Sequence, residues 1–234
     1  MKHVAHIVDQ QIRQWEIART GDHKFPETPK GPVICISRDL GVGARAIARR
    51  LGEELACTIL GRDMIDYVAE DLHVRRRMVD TLDEHGRESM QRWVDGYLHG
   101  SPIEYDEYAT SLVKVVRTAA MQGDVILLGR GAAFILGLKE AFCVRLVAPM
   151  ERRVRHVMEY ESCSRERAMD LIHQSDRERA KFTYRVFHRD LNDPLAYHLT
   201  LNLSNLETEL AVRILVETMR GMGFLMDRTV RAYR

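Results

Sequence analysis

Two glycines lie between a short apolar run and a predicted helix, in a position where chains can bind phosphate. Gly41 and Gly43 follow Val33-Ile34-Cys35-Ile36, and apolar residues recur at helical spacing over residues 44–56. Main-chain N–H groups in such a loop converge on an anion, and the positive end of the following helix adds to the attraction. A tight turn in any α/β protein would also use two glycines. The loop from Ser37 to Arg45 is therefore a candidate phosphate site.

This loop departs from the usual phosphate-binding pattern G-x-x-x-x-G-K-[ST]. Arg38 stands at the first glycine, Ala44 at the lysine and Arg45 at the hydroxyl position. The guanidinium of Arg45 could present two N–H groups to a phosphate where lysine would give a point charge. Alternatively, Arg45 is a surface residue of the first helical turn, although a cation there opposes the helix dipole.

Polar residues also follow two other predicted strands. Gly129 and Arg130 come directly after the apolar run 125–128, at the carboxyl edge of the sheet, where ligands of open α/β proteins bind. Asp63 follows a possible strand at residues 58–60. Its carboxylate could orient magnesium-bound water or an acceptor, or it could cap the next helix.

Strands and helices that alternate along the chain must position these residues. Apolar runs at 33–36, 125–128, 144–147 and 199–203 are typical of buried parallel strands, and each is followed by helical sequence. The order predicts an α/β fold with a parallel sheet. The stretch 64–122 resembles a helical insertion, residues 150–187 form an arginine-rich helical region, and residues 206–219 predict a closing helix.

The first residues predict a separate amphipathic helix. Val4, Ile7, Val8, Ile12 and Trp15 share one face of a helix over residues 1–18, and a glycine- and proline-containing linker follows it. We therefore divide the chain into an N-terminal helix with linker, residues 1–30, and a main domain, residues 31–234. The helix could mediate homodimerisation.

Composition excludes several other classes of protein. The net charge of +1 gives no overall field that would attract nucleic acid or an anionic membrane. The four cysteines lack the spacing of a zinc site or a disulfide framework. The N-terminal residues lack the apolar run of a signal peptide, and no later run reaches membrane-spanning length. We expect a cytoplasmic protein.

Several motifs together resemble the cytidylate kinase-like family. Residues 36–45 read ISRDLGVGAR, similar to that family's loop, which also lacks the lysine. Residues 59–65, 125–132, 176–179 and 197–203 match further landmarks in the family's order. The resemblance runs from about Pro32 to about Leu206.

This resemblance implies a three-layer P-loop kinase fold with a five-stranded parallel sheet, a helical acceptor-binding insertion at about 64–122 and an arginine-rich helical lid at about 160–190. It implies transfer of the γ-phosphoryl group of ATP, with Mg²⁺, to a nucleoside monophosphate similar to CMP or dCMP. Gly131 replaces an aspartate that helps the family's true kinases hold the nucleoside, so the preference for cytidine does not carry over.

The resemblance also implies residue roles. The donor phosphates would contact Ser37, Arg38, Gly41, Val42, Gly43, Ala44 and Arg45. Asp63 and Arg130 would bind the acceptor. Arg45, Arg177 and Arg179 would be catalytic, and Asp176 and Arg185 would belong to the lid.

Two other functions fit the same residues. The missing lysine favours a protein that binds nucleotide without turnover and acts as a sensor or interaction module. The glycine at position 131 favours a kinase whose acceptor is another small metabolite.

Overall fold

The computed structural model describes residues 2–19, 31–80, 88 and 107–225. Predictions for the linker at 20–30, for positions 81–87 and 89–106 of the helical insertion, and for the tail at 226–234 lie outside the described residues.

A parallel sheet forms the centre of the molecule. Its strands are β1 (Val33–Arg38), β2 (Thr58–Gly61), β3 (Val125–Leu128), β4 (Phe142–Val147) and β5 (Leu199–Asn202). All neighbouring strands are parallel, in the order β2-β3-β1-β4-β5. The prediction of an α/β fold with a five-stranded parallel sheet is confirmed.

Helices cover both faces of this sheet. Those before β3 are α1 (Lys2–Arg19), α2 (Ala44–Leu55), α3 (Arg62–Glu70), α4 (Leu72–Asp80) and α5 (Glu107–Gln122). Those after β3 are α6 (Ala132–Glu140), α7 (Met150–Glu161), α8 (Arg165–Phe187) and α9 (Thr208–Gly221), with a short 3-10 turn at Pro194–Ala196.

The core has two halves because successive strand residues point to opposite faces. Ile34 and Ile126 pack with α2 and α9 on one face. Val33 and Leu127 pack with α1, α3, α5 and α6 on the other. Both faces are covered, which explains why the strands are continuous apolar runs and not alternating ones.

The central strand β1 ends where the candidate phosphate loop begins. Ile36 lies opposite Leu128 of β3 and Val144 of β4. The residues that follow β1 and β3 therefore meet at one edge of the sheet, where the sequence predicts the site.

The arginine-rich region forms a pair of helices. Helix α7 ends at Ser162 with φ 51°, and Ser164 caps α8 by accepting a hydrogen bond from the main-chain N–H of Arg167. Val154 and Val157 of α7 pack against Ala168 and Ile172 of α8 in a small separate cluster. This pairing fixes the position of α8.

The N-terminal helix α1 packs onto the same chain. Val8 and Ile12 are buried in the core half that contains α3, α4 and α5. Arg77 of α4 also bonds to Asp9, with 2.6 Å between Nη1 and Oδ1. Of the apolar face that suggested a dimer, Val8 and Ile12 are covered within the chain, and dimerisation stays an untested prediction. Among the described helices, none combines the length and the apolar character needed to span a bilayer.

Candidate active site

The glycine loop after β1 is held open by helix α7. The carbonyl of Leu40 accepts a hydrogen bond from Arg153 Nε at 2.8 Å, and that of Gly41 accepts one from His156 Nδ1 at 3.0 Å. The second bond requires the His156 tautomer that carries its proton on Nδ1. With these carbonyls turned toward α7, no main-chain N–H of residues 40–45 donates to another described residue. These amides can bind an anion.

Gly41 is required by this close approach to α7. Its φ is +84°, and a Cβ atom would lie 2.5 Å from the main-chain oxygen of Arg153. Gly43 has a similar φ of +82° but has 3.5 Å to the nearest atom, on His156. Both glycines fit the predicted loop, and Gly41 also fits because no side chain can be placed there.

The acidic residue of the loop, Asp39, is bound by two buried arginines. Its Oδ1 lies 2.8 Å from Arg145 Nη2, and its Oδ2 lies 3.9 Å from Arg153 Nη1. Arg145 also bonds to Ser37 Oγ at 3.2 Å. Asp39 and Ser37 are thus both held by Arg145 at the start of the loop. Ser37 also lines the cavity described next, and its predicted contact with phosphate stays a prediction.

Four arginines converge on a cavity of about 90 Å³ beside this loop. They are Arg38 of β1, Arg62 of α3, Arg130 after β3 and Arg179 of α8, and one acidic residue, Glu178, also lines the cavity. Four guanidinium groups around so small a space repel each other unless an anion lies between them. The cavity is therefore suited to a phosphate group.

Of the four arginines, Arg38 and Arg179 have the fewest hydrogen bonds and ion pairs to offset their charge. Arg38 has no hydrogen bond or ion pair within the described part of the chain, and burial together with Arg179, Arg62, Arg45 and Arg130 lowers its pKa to about 9. It remains protonated at neutral pH.

Arg179 is similarly short of partners. Its Nη1 has no hydrogen-bond partner among the described residues, and the nearest carboxylate, Asp176, is 3.8 Å away. Burial lowers the pKa of Arg179 as well. Both side chains have N–H groups for a ligand.

Arg130 occupies a strained turn. Its φ is +51°, between Gly129 at +92° and Gly131 at +68°. Residues other than glycine seldom adopt this conformation, and it concentrates at functional sites. The side chain lies with its guanidinium carbon 5.1 Å from the ring centre of Phe182 and forms two hydrogen bonds to Asp66.

Asp66 is the functional candidate that sequence reasoning missed. The sequence predicted Asp63, whose carboxylate is 62% exposed, bonds to Arg62 at 3.3 Å and does not line the cavity. Asp66 lies three residues later on α3 and faces Arg130. The sequence does show two carboxylates, Asp63 and Asp66, three residues apart on a predicted helix. That spacing could not show which of the two points toward β3.

Of the remaining arginines predicted from the sequence, one points into the cavity and the others are exposed. On α8, Arg179 points into the cavity, whereas Arg177 and Arg185 are exposed and do not line it. Arg45 is exposed and bonds to the hydroxyl of Tyr160 at 2.8 Å, with its guanidinium carbon 5.8 Å from that ring. The structure does not bring Arg45, Arg177 or Arg185 into contact with the cavity.

Asp176 joins helix α8 to the loop. Both of its oxygens accept hydrogen bonds from Arg153 Nη2, at 2.7 and 2.8 Å. Because Arg153 also bonds to Leu40, helix α8 and the loop share one buried guanidinium.

A second cavity, of about 320 Å³, lies on the other side of the loop. Val42 and Gly43 of the loop form one wall. The other lining residues come from α7 and from the segment after β5: Arg152, Arg155, His156, Glu159, Leu203, Leu206, Glu207 and Thr208. Small-molecule sites usually have volumes of about 300–1,000 Å³. This cavity is large enough for a nucleobase, and the sequence did not predict it.

The described residues contain no group of three or more His, Cys, Asp or Glu side chains that could hold a metal ion. Glu178, which lines the cavity, accepts a hydrogen bond from Gln174 Nε2 at 2.8 Å, and Asp39, Asp63 and Asp66 each pair with an arginine. These side chains do not fit a magnesium site built by the protein.

Comparisons with known proteins identify a family and similar folds. A sequence model of the cytidylate kinase-like family matches residues 33–205. An uncharacterized protein from Eubacterium ventriosum has a similar structure, with a TM-score of 0.66 and 18% identity over 82% of this chain and 99% of that chain. No curated protein matches the chain.

Two further solved structures are more distant. Shikimate kinase from Bacteroides thetaiotaomicron has a TM-score of 0.46 and 13% identity, over 83% of this chain and 99% of that one. A protein from Thermus thermophilus has a TM-score of 0.41 and 18% identity, over 81% and 99%.

Proposed function

The chain belongs to the cytidylate kinase-like family, and from this membership we propose that it transfers the γ-phosphoryl group of ATP to a nucleoside monophosphate. One observation supports the proposal above the others: Arg38, Arg62, Arg130 and Arg179 converge on a phosphate-sized cavity next to a loop with unused main-chain amides.

The arrangement suits transfer between two phosphates. An oxygen of the acceptor phosphate forms a bond to the γ-phosphorus, and the bond from that phosphorus to the β–γ bridging oxygen breaks, which gives a nucleoside diphosphate and ADP. No general base is required, because the second pKa of a phosphomonoester is about 6 and the attacking oxygen is already ionised. The protein must align the two phosphates and offset their charge.

The donor and the acceptor would occupy the two cavities. We place the base of ATP in the cavity of about 320 Å³, since it adjoins Val42 and Gly43 of the loop. The triphosphate would then lie along the free amides of residues 40–45. The acceptor phosphate would bind among the four arginines, with Arg130 and Arg179 nearest to the transferred group.

Magnesium, expected from the family, stays a prediction. When bound to the donor it would neutralise phosphate charge, but the paired carboxylates described above do not fit a site in which the protein holds it. The roles proposed for the arginines do not depend on it.

Cavity size favours a second candidate acceptor. The arginine cavity, of about 90 Å³, is smaller than a nucleoside site. Phe187 of α8 packs so closely on Gly131 that a Cβ atom at Gly131 would lie 2.1 Å from its ring. A nucleoside would enter only if α8 moved, whereas a small phosphorylated metabolite would fit with less movement. Such a kinase would keep the same chemistry.

Arg45 favours the sensor hypothesis. Ala44 replaces the loop lysine, and Arg45 bonds to Tyr160 instead of facing the phosphate site. A protein that bound nucleotide without phosphoryl transfer would need neither a lysine at position 44 nor the guanidinium of Arg45 beside the γ-phosphate.

A coupled ADP-release assay with ATP, magnesium, a panel of nucleoside monophosphates and small phosphorylated metabolites separates the three functions. We expect turnover with one monophosphate. Turnover with only a non-nucleoside acceptor would support the second candidate, and ATP binding without turnover would support the sensor. Replacement of Arg45 by alanine should abolish turnover if that side chain substitutes for lysine.

Arg179→Met tests the arginine cavity in the same assay. We expect kcat to fall by at least about 100-fold, because a cation beside a transferred phosphoryl group contributes roughly 1,000-fold or more. Arg167→Met, an exposed position on the same helix, is the control and should retain activity. Equal activity in both variants would contradict the proposed role of the cavity.

A further inference from the structure

Arg130 is fixed by contacts along one edge of its guanidinium group. Its Nε lies 2.5 Å from Asp66 Oδ1, and its Nη2 donates to Asp66 Oδ2. Nη1 forms no hydrogen bond within the described residues. A guanidinium has five N–H donors in a rigid plane, so occupying one edge determines where the remaining donors point.

Asp66 is itself held in place. Its Oδ1 also accepts a hydrogen bond from the hydroxyl of Tyr108 at 2.7 Å. Tyr108 lies on α5 and Asp66 on α3, so two helices of the predicted acceptor-binding insertion fix one carboxylate. Burial and the bond to Asp66 raise the pKa of Tyr108, which therefore stays a donor at physiological pH.

We propose that Asp66, supported by Tyr108, is a positioning residue that turns the free edge of Arg130 toward the acceptor phosphate. The inference rests on the proposed function for the identity of that ligand. The contacts that carry it, the bidentate Asp66–Arg130 pair and the Tyr108 bond, are independent of that identity.

The proposal can be tested by whether phosphate affinity rises or falls when the charge of Asp66 is removed. A carboxylate beside an anion site repels the anion, so charge alone predicts that neutralising Asp66 tightens phosphate binding. Positioning predicts the opposite. Without the carboxylate, Arg130 loses both hydrogen bonds to Asp66 and keeps its contact with the ring of Phe182. It then samples more rotamers, and ordering it again costs binding energy.

The experiment is a calorimetric titration of inorganic phosphate into the whole chain and its variants. Asp66→Asn keeps the shape and removes the charge, and we expect phosphate affinity to fall roughly 10- to 100-fold, the scale of a charge-assisted hydrogen-bond pair. Tyr108→Phe should cause a smaller loss, since it removes one supporting bond and no charge.

Glu70→Gln is the matched control. Glu70 is the last residue of α3 and is exposed, so this variant removes one negative charge from the same helix without a contact to Arg130. We expect its phosphate affinity to equal that of the wild type or to be slightly higher.

Three outcomes would overturn the inference: unchanged or tighter phosphate binding by Asp66→Asn, equal losses in Asp66→Asn and Glu70→Gln, or no phosphate binding by the wild type. If Asp66→Asn does not fold, as judged by its melting curve, Tyr108→Phe decides the question. Phosphate binding that depends on Asp66, without turnover of any monophosphate, would refute the proposed kinase function and leave the positioning role intact. In an active enzyme, Asp66→Asn should raise KM for the acceptor more than KM for ATP.

Discussion

At the scale of single residues, the site contains side chains that cost the free protein stability. Arg38 has a depressed pKa of about 9 and no carboxylate partner among the described residues. Arg130 adopts a backbone conformation with φ +51°. An unpaired, partly buried cation such as Arg38 points to an anionic ligand. Strained backbone of the kind found at Arg130 concentrates at functional sites.

Replacing Arg38 by methionine should stabilise the free protein and weaken its binding of phosphate. Removing an unpaired cation from a group of arginines relieves desolvation and repulsion, and we expect the free energy of unfolding to rise by about 1 kcal/mol or more. Urea unfolding without and with phosphate measures both effects, since excess ligand should stabilise the wild type more than the variant.

Arg50→Met is the control for this substitution. Arg50 bonds to Glu209 at 2.6 Å and to Glu53 at 2.8 Å on the surface, so its loss should leave stability unchanged or slightly lower. If the Arg38→Met protein were less stable than the wild type, Arg38 would stabilise the fold, which would contradict the expectation that it is unfavourable until a ligand binds.

At the scale of elements, α7 controls both the loop and α8. Its buried Arg153 bonds to the carbonyl of Leu40, to Asp176 and, at 3.9 Å, to Asp39. His156, one turn later, holds Gly41. The loop therefore keeps its amides free because a neighbouring helix binds its carbonyls, and any movement of α8 must first break the Arg153–Asp176 pair.

Asp176→Asn should loosen α8 without unfolding the sheet. The substitution weakens two hydrogen bonds to a buried guanidinium, and we expect a loss of about 1–3 kcal/mol in the free energy of unfolding. Hydrogen exchange should quicken in residues 165–187 and stay slow in β1 and β4.

Asp170→Asn provides the comparison, because Asp170 is an exposed carboxylate on the same helix. Its exchange and stability should match the wild type. If both variants exchange alike over α8, the Arg153–Asp176 pair does not restrain that helix.

At the scale of the whole molecule, α1 belongs to the half of the core that contains α3, α4 and α5. It packs on α3 and α4 with Val8 and Ile12 buried, and α3 carries Asp66, which contacts Arg130. The N-terminal helix thus supports the elements that position the site. The division of the chain into residues 1–30 and 31–234 stays a prediction.

Ile12→Ala tests whether α1 packs within the chain or between chains. Ile12 is 1% exposed, and truncating such a residue typically costs 2–5 kcal/mol, so we expect about that loss in the free energy of unfolding. Light scattering should show the same molecular mass as for the wild type.

Gln14→Ala, an exposed position on the same helix, should change neither quantity. A change in mass for Ile12→Ala with little loss of stability would instead favour the dimer predicted from the sequence.

Local patterns were sufficient to predict the class of fold and to predict that the residues after β1 and β3 meet at one edge of the sheet. Apolar runs and glycine spacing predicted β1, the loop and α2, because strand burial and loop conformation depend on adjacent residues. The residues after β1 and β3 were expected at one edge of the sheet, and the structure places Arg38 and Arg130 together there. The family resemblance is confirmed over residues 33–205.

The choice among similar side chains could not be predicted in this way. Asp66 and not Asp63 meets Arg130, and Arg179 and not Arg177 faces the cavity. These outcomes depend on the rotation of α3 and α8 about their axes, which packing against β3, α5 and α7 sets.

The sequence by itself therefore determined the order of strands and helices along the chain, the glycine loop and the supply of arginines. Only the tertiary structure decided which arginines converge, which carboxylate contacts Arg130 and where α1 packs. The physical reason is that hydrophobic periodicity is a property of neighbouring residues, whereas an ion pair between α3 and the end of β3 joins residues 64 positions apart and forms only after the sheet and its helices have packed.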